Sequence, residues 1–208
     1  MTIWSSLDEA WRTAFDQAWE ALRAGSIPVG ACVSDPEGRI IHASRNRTTE
    51  STGPPGEVWG SGLAHAEINV VARVPFRSDE PLVLTTTLEP CLQCAAAIRL
   101  AQIAIVRYAG ADPYWGGCHD FTRLSEREAR RPQPQRVGPR GDAVARFAQL
   151  IAYLGPLPNE RYMSWMRDAG EGTIIDLAIR LHTAGEINRL AALEVGEAFA
   201  LLEHELGD

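Results

Sequence analysis

The 208-residue chain is organised around two motifs, His65-Ala66-Glu67 and, further along, Pro90-Cys91-Leu92-Gln93-Cys94. One imidazole and two thiolates are a ligand set that a catalytic zinc ion commonly takes, with its fourth position left open. His65, Cys91 and Cys94 are therefore candidate zinc ligands. The carboxylate of Glu67 is not needed as a ligand, so it is free to act as a general acid and base.

A Cys-x-x-Cys pair by itself is also typical of a redox dithiol or of half a structural zinc site. A structural site needs a fourth ligand, and the remaining cysteines, Cys32 and Cys118, do not form a second Cys-x-x-Cys. A redox dithiol does not require a preceding proline or an upstream His-Ala-Glu. We therefore interpret the two motifs as one catalytic zinc site.

The order H-x-E and then P-C-x-x-C is the signature of zinc deaminases that act on cytosine and adenine. Neighbouring residues strengthen the similarity, namely Pro28-Val29-Gly30-Ala31, Asn46-Arg47, Ala64 to Ile68 and Thr87 to Ala95. Over roughly residues 5 to 120 the chain resembles the cytidine deaminase superfamily. Within it, the motifs are similar to the branch that holds tRNA adenosine deaminases and guanine or cytosine deaminases.

This resemblance implies a hydrolase that acts on the C–N bond of a cyclic amidine, with one Zn²⁺ per subunit and Glu67 as the catalytic residue. It also implies that the protein is a homodimer. Substrate contacts are expected at five positions, of which Asp112 and Trp115 follow a predicted strand at the edge where α/β sheets place their ligands. The five candidate substrate-binding residues are Val29, Asn46, Ala66, Asp112 and Trp115.

The formal net charge of -7 bears on the choice of substrate. Proteins that grip an RNA or DNA strand normally present a basic surface, because cationic side chains displace the counterions of the phosphates. We therefore expect a small-molecule substrate, a free purine or pyrimidine base, nucleoside or analogue, and consider a nucleic-acid partner less favoured. The alternative is a tRNA-specific adenosine deaminase, and a second alternative is a non-catalytic partner subunit that keeps the zinc fold.

No run of 18 apolar residues is present, so no membrane span is predicted. The N-terminal residues lack a basic segment followed by an apolar one, and the cytoplasm is the expected location.

The resemblance implies an α/β fold of three layers, α/β/α, with a central mixed five-stranded sheet. Hydrophobic periodicity indicates four of the strands and a helical C-terminal extension. Ser6-x-x-Glu9 is interpreted as a capping box for a helix over 6–24, and Pro90 as the first residue of the helix that carries both cysteines. Three domain ranges are predicted: a zinc deaminase domain over 1–125, an Arg/Pro-rich linker over 126–141 and the helical extension over 142–208.

Two further features are left open by the sequence. The Ser-, Gly- and Pro-rich loop 47–63 precedes the zinc histidine and has the composition of either a lid or a plain surface loop. Cys118 and His119 follow the fourth predicted strand, where they either reach the active site or have structural roles.

Overall fold

The computed structural model describes residues 3–75, 78 and 80–206. A five-stranded sheet in the order β2-β1-β3-β4-β5 forms its centre. β1 pairs antiparallel with β2 and with β3, whereas β3, β4 and β5 run parallel. The strands are β1 Gly30–Ser34, β2 Ile40–Arg45, β3 Val83–Leu88, β4 Ile105–Gly110 and β5 Gln135–Val137. The predicted mixed five-stranded sheet is thus confirmed.

Helices cover both faces of the sheet. α1 and α5 pack on one face, and α2 and α3 on the other. The helices are α1 Glu9–Arg23, α2 Ala66–Val71, α3 Leu92–Leu100, α4 Glu126–Ala129, α5 Ala143–Ile151, α6 Glu160–Met166, α7 Gly172–Thr183, α8 Ile187–Ala191 and α9 Val195–Leu206. Within the described ranges, no helix has the length and apolar content needed to cross a membrane.

α1 begins two residues later than the predicted capping box implied. Its N-cap is Asp8, whose side chain accepts a hydrogen bond from Trp11 N at 3.0 Å, while Ser6 belongs to a preceding 3-10 turn. Serine and aspartate both cap helices well, and the helix begins at Asp8, which is the nearer of the two to the apolar residues of α1. α1 lies so close to the sheet that a Cβ on Gly30 would stand 2.1 Å from Ala14 O. Glycine at this position therefore permits the close contact between helix and strand.

α3 also begins later than predicted. Its N-cap is Cys91, and Pro90 lies outside the helix. Cys94 consequently lies in the first turn, and both thiols remain at the N-terminal end of the helix.

The range 126–141, predicted as a linker, contains α4 and β5. β5 extends the sheet by pairing with β4, from Ile105 opposite Gln135 to Arg107 opposite Val137. A three-residue edge strand flanked by prolines has too little apolar periodicity to be recognised in sequence. The fifth strand therefore comes from a segment whose composition is typical of a linker, and the division into three domains remains a prediction.

The C-terminal helices do not form a separate core. Apolar residues of α5, α7, α8 and α9 share one buried cluster with α1, and an aromatic group joins Trp4, Phe15, Phe147 and Phe199 at ring separations of 5.1 to 5.9 Å. In the sequence, apolar residues recur on one helical face from Ile187 to Leu202 and predict one continuous helix, but the structure divides this range into α8 and α9. α6 was not predicted at all.

Candidate active site

Three side chains from the two motifs meet at the N-terminal ends of α2 and α3. His65 Nδ1 lies 3.5 Å from Cys91 Sγ and 3.4 Å from Cys94 Sγ, and the two sulfurs lie 3.5 Å apart. At zinc bond lengths, tetrahedral coordination separates nitrogen from sulfur by about 3.6 Å and two sulfurs by about 3.8 Å. The three atoms therefore already stand close to the spacing that a zinc ion requires.

The electrostatics of the two thiols also suit a cation. The hydrogen bond between them, with a further contribution from His65, lowers the pKa of Cys91 to about 4 despite its burial. The same hydrogen bond, together with burial, raises the pKa of Cys94. The protein by itself therefore favours the thiolate form of Cys91. A divalent cation bound beside the two sulfurs would compensate the negative charge that Cys94 acquires when it loses its proton.

Glu67 lies beside this cluster and is almost completely buried, with 3% of its surface exposed. Thr86 Oγ1 donates a hydrogen bond to Glu67 Oε1 at 3.0 Å, while Oε2 lies 3.5 Å from Cys94 Sγ. Burial raises the pKa of the Glu67 carboxyl. One carboxylate oxygen is therefore held in place, and the other faces the cluster with a raised affinity for protons.

A cavity of about 430 Å³ opens over His65, Glu67 and Cys91. Part of its wall comes from the strands and loops around the two motifs: Ile27, Val29, Asn46, Thr49, Leu88, Glu89, Ala111, Asp112 and Trp115. The rest of the wall comes from the C-terminal region: Gln149, Ala152, Tyr153, Pro156, Leu157, Pro158, Tyr162, Met166 and Glu171. We call this second set the C-terminal wall. The volume is within the range of small-molecule sites.

Four of the five candidate substrate-binding residues, Val29, Asn46, Asp112 and Trp115, line the cavity. Ala66 does not, because it is the first residue of α2 and its side chain is buried in the core between the helix and the sheet. Only its backbone is left to contact a ligand. The substrate-binding roles of all five remain predictions.

Asn46 is held in a defined orientation at the cavity. Its Oδ1 accepts hydrogen bonds from Thr48 N at 3.0 Å, from Thr48 Oγ1 at 2.9 Å and from Ser26 Oγ at 2.9 Å. A backbone N–H can only donate, so the contact with Thr48 N fixes which end of the amide is the oxygen. The amide nitrogen is thereby left to donate toward the cavity.

We expect Asn46→Ala to lower kcat/KM for the substrate by roughly 10- to 100-fold, mainly through KM, because a neutral donor to the substrate is lost. Steady-state kinetics would measure this, with Thr49→Ala as the matched control. Thr49 also lines the cavity, but its hydroxyl donates to Gly25 O at 2.9 Å and is already engaged. An equal loss in both variants would contradict a specific role for Asn46.

The cavity is rich in carboxyl groups and poor in cations. Glu67, Glu89, Asp112 and Glu171 line it, and no arginine or lysine is found among its described lining residues. Burial raises the pKa of Asp112 to about 7, and its Oδ1 accepts a hydrogen bond from Tyr114 N at 3.1 Å. Such a cavity favours ligands that donate hydrogen bonds and disfavours phosphate groups.

Loop 47–63 is bound to the body of the protein. Ser44 Oγ on β2 donates a hydrogen bond to Glu57 Oε2 at 2.8 Å, and Asn69 on α2 bonds both the N–H and the carbonyl of Val58 at 2.8 and 3.1 Å. Apart from Thr49, its described residues do not line the cavity. The structure thus gives the lid interpretation no support, and the C-terminal wall covers the cavity instead.

Cys118 and His119 lie beside the cavity wall, outside it. Cys118 Sγ is 3.7 Å from Pro90 O, and His119 lines a separate, smaller cavity with its Nδ1 3.9 Å from Glu89 Oε1. Sequence reasoning missed the C-terminal wall. The sequence signal that could have indicated this wall is the group of aromatic residues in 153–166, which lies between the apolar periodicity of 144–151 and that of 174–181.

Residues 5–109 match the family model of the cytidine and deoxycytidylate deaminase zinc-binding region. The chain belongs to this family. The match includes His65, Glu67, Cys91 and Cys94 and ends before the C-terminal wall begins. The zinc-binding character of the family agrees with the spacing of the three candidate ligands.

Curated members of the family include tRNA-specific enzymes. The chain is 36% identical over 122 residues to tRNA-specific adenosine deaminase 2 of Danio rerio, covering 54% of this chain and 53% of that protein. It is 30% identical over 129 residues to tRNA-specific adenosine deaminase of Streptococcus pyogenes serotype M18, covering 59% of this chain and 76% of that protein. The chain spans about half the length of the Danio rerio relative.

The fold is also that of a solved guanine deaminase from Nitrosomonas europaea. That structure superimposes with a TM-score of 0.50 at 18% sequence identity, covering 70% of this chain and 85% of the other. At this identity the likeness concerns the fold alone.

Proposed function

We propose that this protein is a zinc-dependent hydrolytic deaminase that releases ammonia from a small aminated heterocycle. The observation that carries the reaction type is the buried Glu67 carboxylate, 3.5 Å from Cys94 Sγ, at the floor of a cavity over His65 and Cys91. A zinc ion held by His65, Cys91 and Cys94 would supply a hydroxide nucleophile near neutral pH.

Glu67 moves the protons of the reaction. Thr86 holds Oε1, so Oε2 is the oxygen that takes a proton from the attacking water and passes it to the ring nitrogen. Oε2 then takes the second proton, from the hydroxyl group on the tetrahedral carbon, and passes it to the departing amine as the C–N bond breaks. The raised pKa of Glu67 brings its proton affinity closer to that of the groups it serves.

A small substrate is supported by the wall and the charge of the cavity. The C-terminal wall lies outside the matched range 5–109 and narrows the cavity with Tyr153, Leu157 and Tyr162. The lining carries carboxyl groups and no described arginine or lysine, which is unfavourable for a phosphate-bearing strand. Most of the arginines that the structure describes elsewhere form ion pairs with carboxylates. They are therefore less available to contact RNA.

The second candidate is deamination of adenosine in tRNA. It is favoured by the relatives from Danio rerio and Streptococcus pyogenes, both named as tRNA-specific enzymes. Beside the cavity, Tyr114 and Trp165 also form an exposed aromatic pair with ring centroids 5.2 Å apart, and exposed aromatic rings can stack with unpaired bases. The comparisons favour this candidate, whereas the charge of the cavity and the C-terminal wall favour the small heterocycle.

A non-catalytic partner subunit is the third interpretation. A zinc site that serves only stability has no use for a buried carboxylate beside it, because burying Glu67 costs free energy. The intact Glu67 therefore supports an active enzyme. The homodimer implied by the resemblance and the cytoplasmic location expected from the N-terminal residues remain predictions.

Ammonia release from the zinc-loaded protein tests the proposal. The substrates are cytosine, guanine, adenine, their nucleosides, and a tRNA anticodon stem-loop with adenosine at the wobble position. We expect release from at least one base or nucleoside and none from the stem-loop. Release from the RNA alone would overturn the small-substrate proposal and establish the second candidate.

A further inference from the structure

Arg136 connects the edge strand β5 to the rim of the active-site cavity. Its Nη2 lies 2.7 Å from Glu89 Oε1, and both side chains are largely buried, with 17% and 9% of their surfaces exposed. The guanidinium group also lies over the ring of Tyr108 on β4, with Cζ 4.8 Å from the ring centroid. Glu89 lines the cavity and stands two residues before the candidate ligand Cys91. The ion pair therefore joins a segment with the composition of a linker to the edge of the active site.

Glu89 uses its other carboxylate oxygen to hold the loop that follows β4. Oε2 accepts a hydrogen bond from Asp112 N at 3.2 Å, and the backbone N–H of Glu89 donates to Gly110 O at 2.9 Å. Asp112 and Trp115, two of the candidate substrate-binding residues, belong to this loop and line the cavity. Glu89 therefore fixes the backbone at Asp112 relative to the motif that carries both cysteines.

Arg136 supplies the positive charge that a buried carboxylate requires. Within 4.0 Å of the Glu89 carboxylate, the structure describes one other basic group, His119, whose Nδ1 lies 3.9 Å from Oε1. Burial and the nearby Arg136 lower the pKa of His119, so this ring carries little positive charge near neutral pH. The carboxyl group of Asp112 also lies close enough for its charge and that of Glu89 to disfavour each other. Loss of Arg136 would leave Glu89 uncompensated and weaken its hold on Asp112 N.

We propose that Arg136 is a positioning residue, which acts through Glu89 to hold the loop of Asp112 and Trp115 where it contacts the substrate. This inference rests on the proposed deaminase function and on the predicted substrate contacts of that loop. Arg136 lies in β5, outside the range 5–109 that the family model matches, so the family match does not account for this contact.

Arg136→Met tests the inference, because methionine retains an apolar contact with Tyr108 but cannot neutralise Glu89. We expect KM for the deaminated base or nucleoside to rise by roughly 10-fold. The change in kcat should be smaller, because Glu67 and the zinc ligands are held by α2 and α3. One zinc ion per chain should stay bound. Arg136→Lys should recover most of the lost affinity, since the contact with Glu89 is a single one that a point charge can replace.

The matched control is Arg107→Met. Arg107 on the neighbouring strand β4 pairs with Asp8 at 2.6 Å and lies over the Trp11 ring, 4.8 Å from its centroid, so this variant loses the same two kinds of contact. Arg107 does not line the cavity and does not contact Glu89. Its KM should therefore equal that of the wild type. An equal rise in KM in both variants would indicate a general effect on stability and would overturn the inference.

A double-mutant cycle tests whether Arg136 acts through Glu89. In a Glu89→Gln background, the further substitution Arg136→Met should change KM by no more than roughly 2-fold, because the charge that Arg136 neutralises is already absent. A further rise as large as the one in the wild-type background would show that Arg136 acts by another route and would overturn the inference. If Arg136→Met does not fold, Arg136→Gln takes its place in the same cycle.

Hydrogen exchange of the Asp112 amide, followed by NMR in the zinc-loaded protein, gives a readout that does not depend on turnover. Its N–H is buried and donates to Glu89, so exchange should be at least about 10-fold faster in Arg136→Met and unchanged in Arg107→Met. Unchanged exchange in Arg136→Met would overturn the inference while any deaminase activity stands. If the wild type deaminates none of the bases or nucleosides, the proposed function fails, and the role of Arg136 in placing the substrate fails with it.

Discussion

Glu67→Gln is expected to lower turnover by at least about 10³-fold while one zinc ion per chain stays bound. The amide keeps the size of the carboxylate and can still accept the hydrogen bond from Thr86, so the local structure should persist. It cannot, however, take up and release a proton at the position of Oε2. Single-turnover ammonia release together with metal analysis of the purified protein would measure both quantities.

The comparison for this variant is Glu160→Gln, which removes an exposed carboxylate far from the motifs and should leave turnover unchanged. Glu67→Gln protein that retained wild-type turnover would rule out Glu67 as the proton carrier. Loss of zinc from the variant would instead assign Glu67 a role in metal retention, which the three-ligand geometry does not require.

Cys94→Ala is expected to abolish stoichiometric zinc binding and to lower the melting temperature by several degrees. Cys94 is completely buried between His65 and Glu67, and its loss removes one of three ligands together with the binding free energy that stabilises the folded state. Metal content by mass spectrometry and thermal unfolding with and without added zinc would measure the effect. Added zinc should stabilise the wild type but not the variant.

Cys118→Ala provides the matched control. Cys118 is only partly buried, lies near Pro90 O and does not belong to the cluster of His65, Cys91 and Cys94. This variant should bind one zinc ion per chain. Zinc loss in Cys118→Ala, or full zinc binding in Cys94→Ala, would contradict the assigned ligand set.

Much of the catalytic floor could be predicted because its chemistry is local. His65 and Glu67 are two residues apart, Cys91 and Cys94 three apart, and zinc deaminases place these residue types in this order. The sheet could be predicted for similar reasons, since apolar runs bounded by turn residues indicate strands. The family match then confirmed the resemblance on which the zinc interpretation depended.

The cavity wall could not be predicted because it depends on long-range packing. Gln149 and Glu171 come together with Ala111 only after α5 has packed on the sheet, and neither residue belongs to a recognisable motif. β5 was missed because a three-residue edge strand has no period to detect. The break between α8 and α9 was missed because the apolar stripe continues across residues that leave the helix.

The C-terminal wall has a consequence for how this protein can change its substrate in evolution. Tyr153 and Met166 belong both to the wall and to the large buried cluster shared with α1, so a substitution that reshaped the cavity at either position would also destabilise the fold. Pro156, Leu157 and Pro158 line the cavity, are at least partly exposed and do not belong to that cluster. New substrate preferences are therefore most accessible through these three positions, where selection on ligand binding is least opposed by selection on stability.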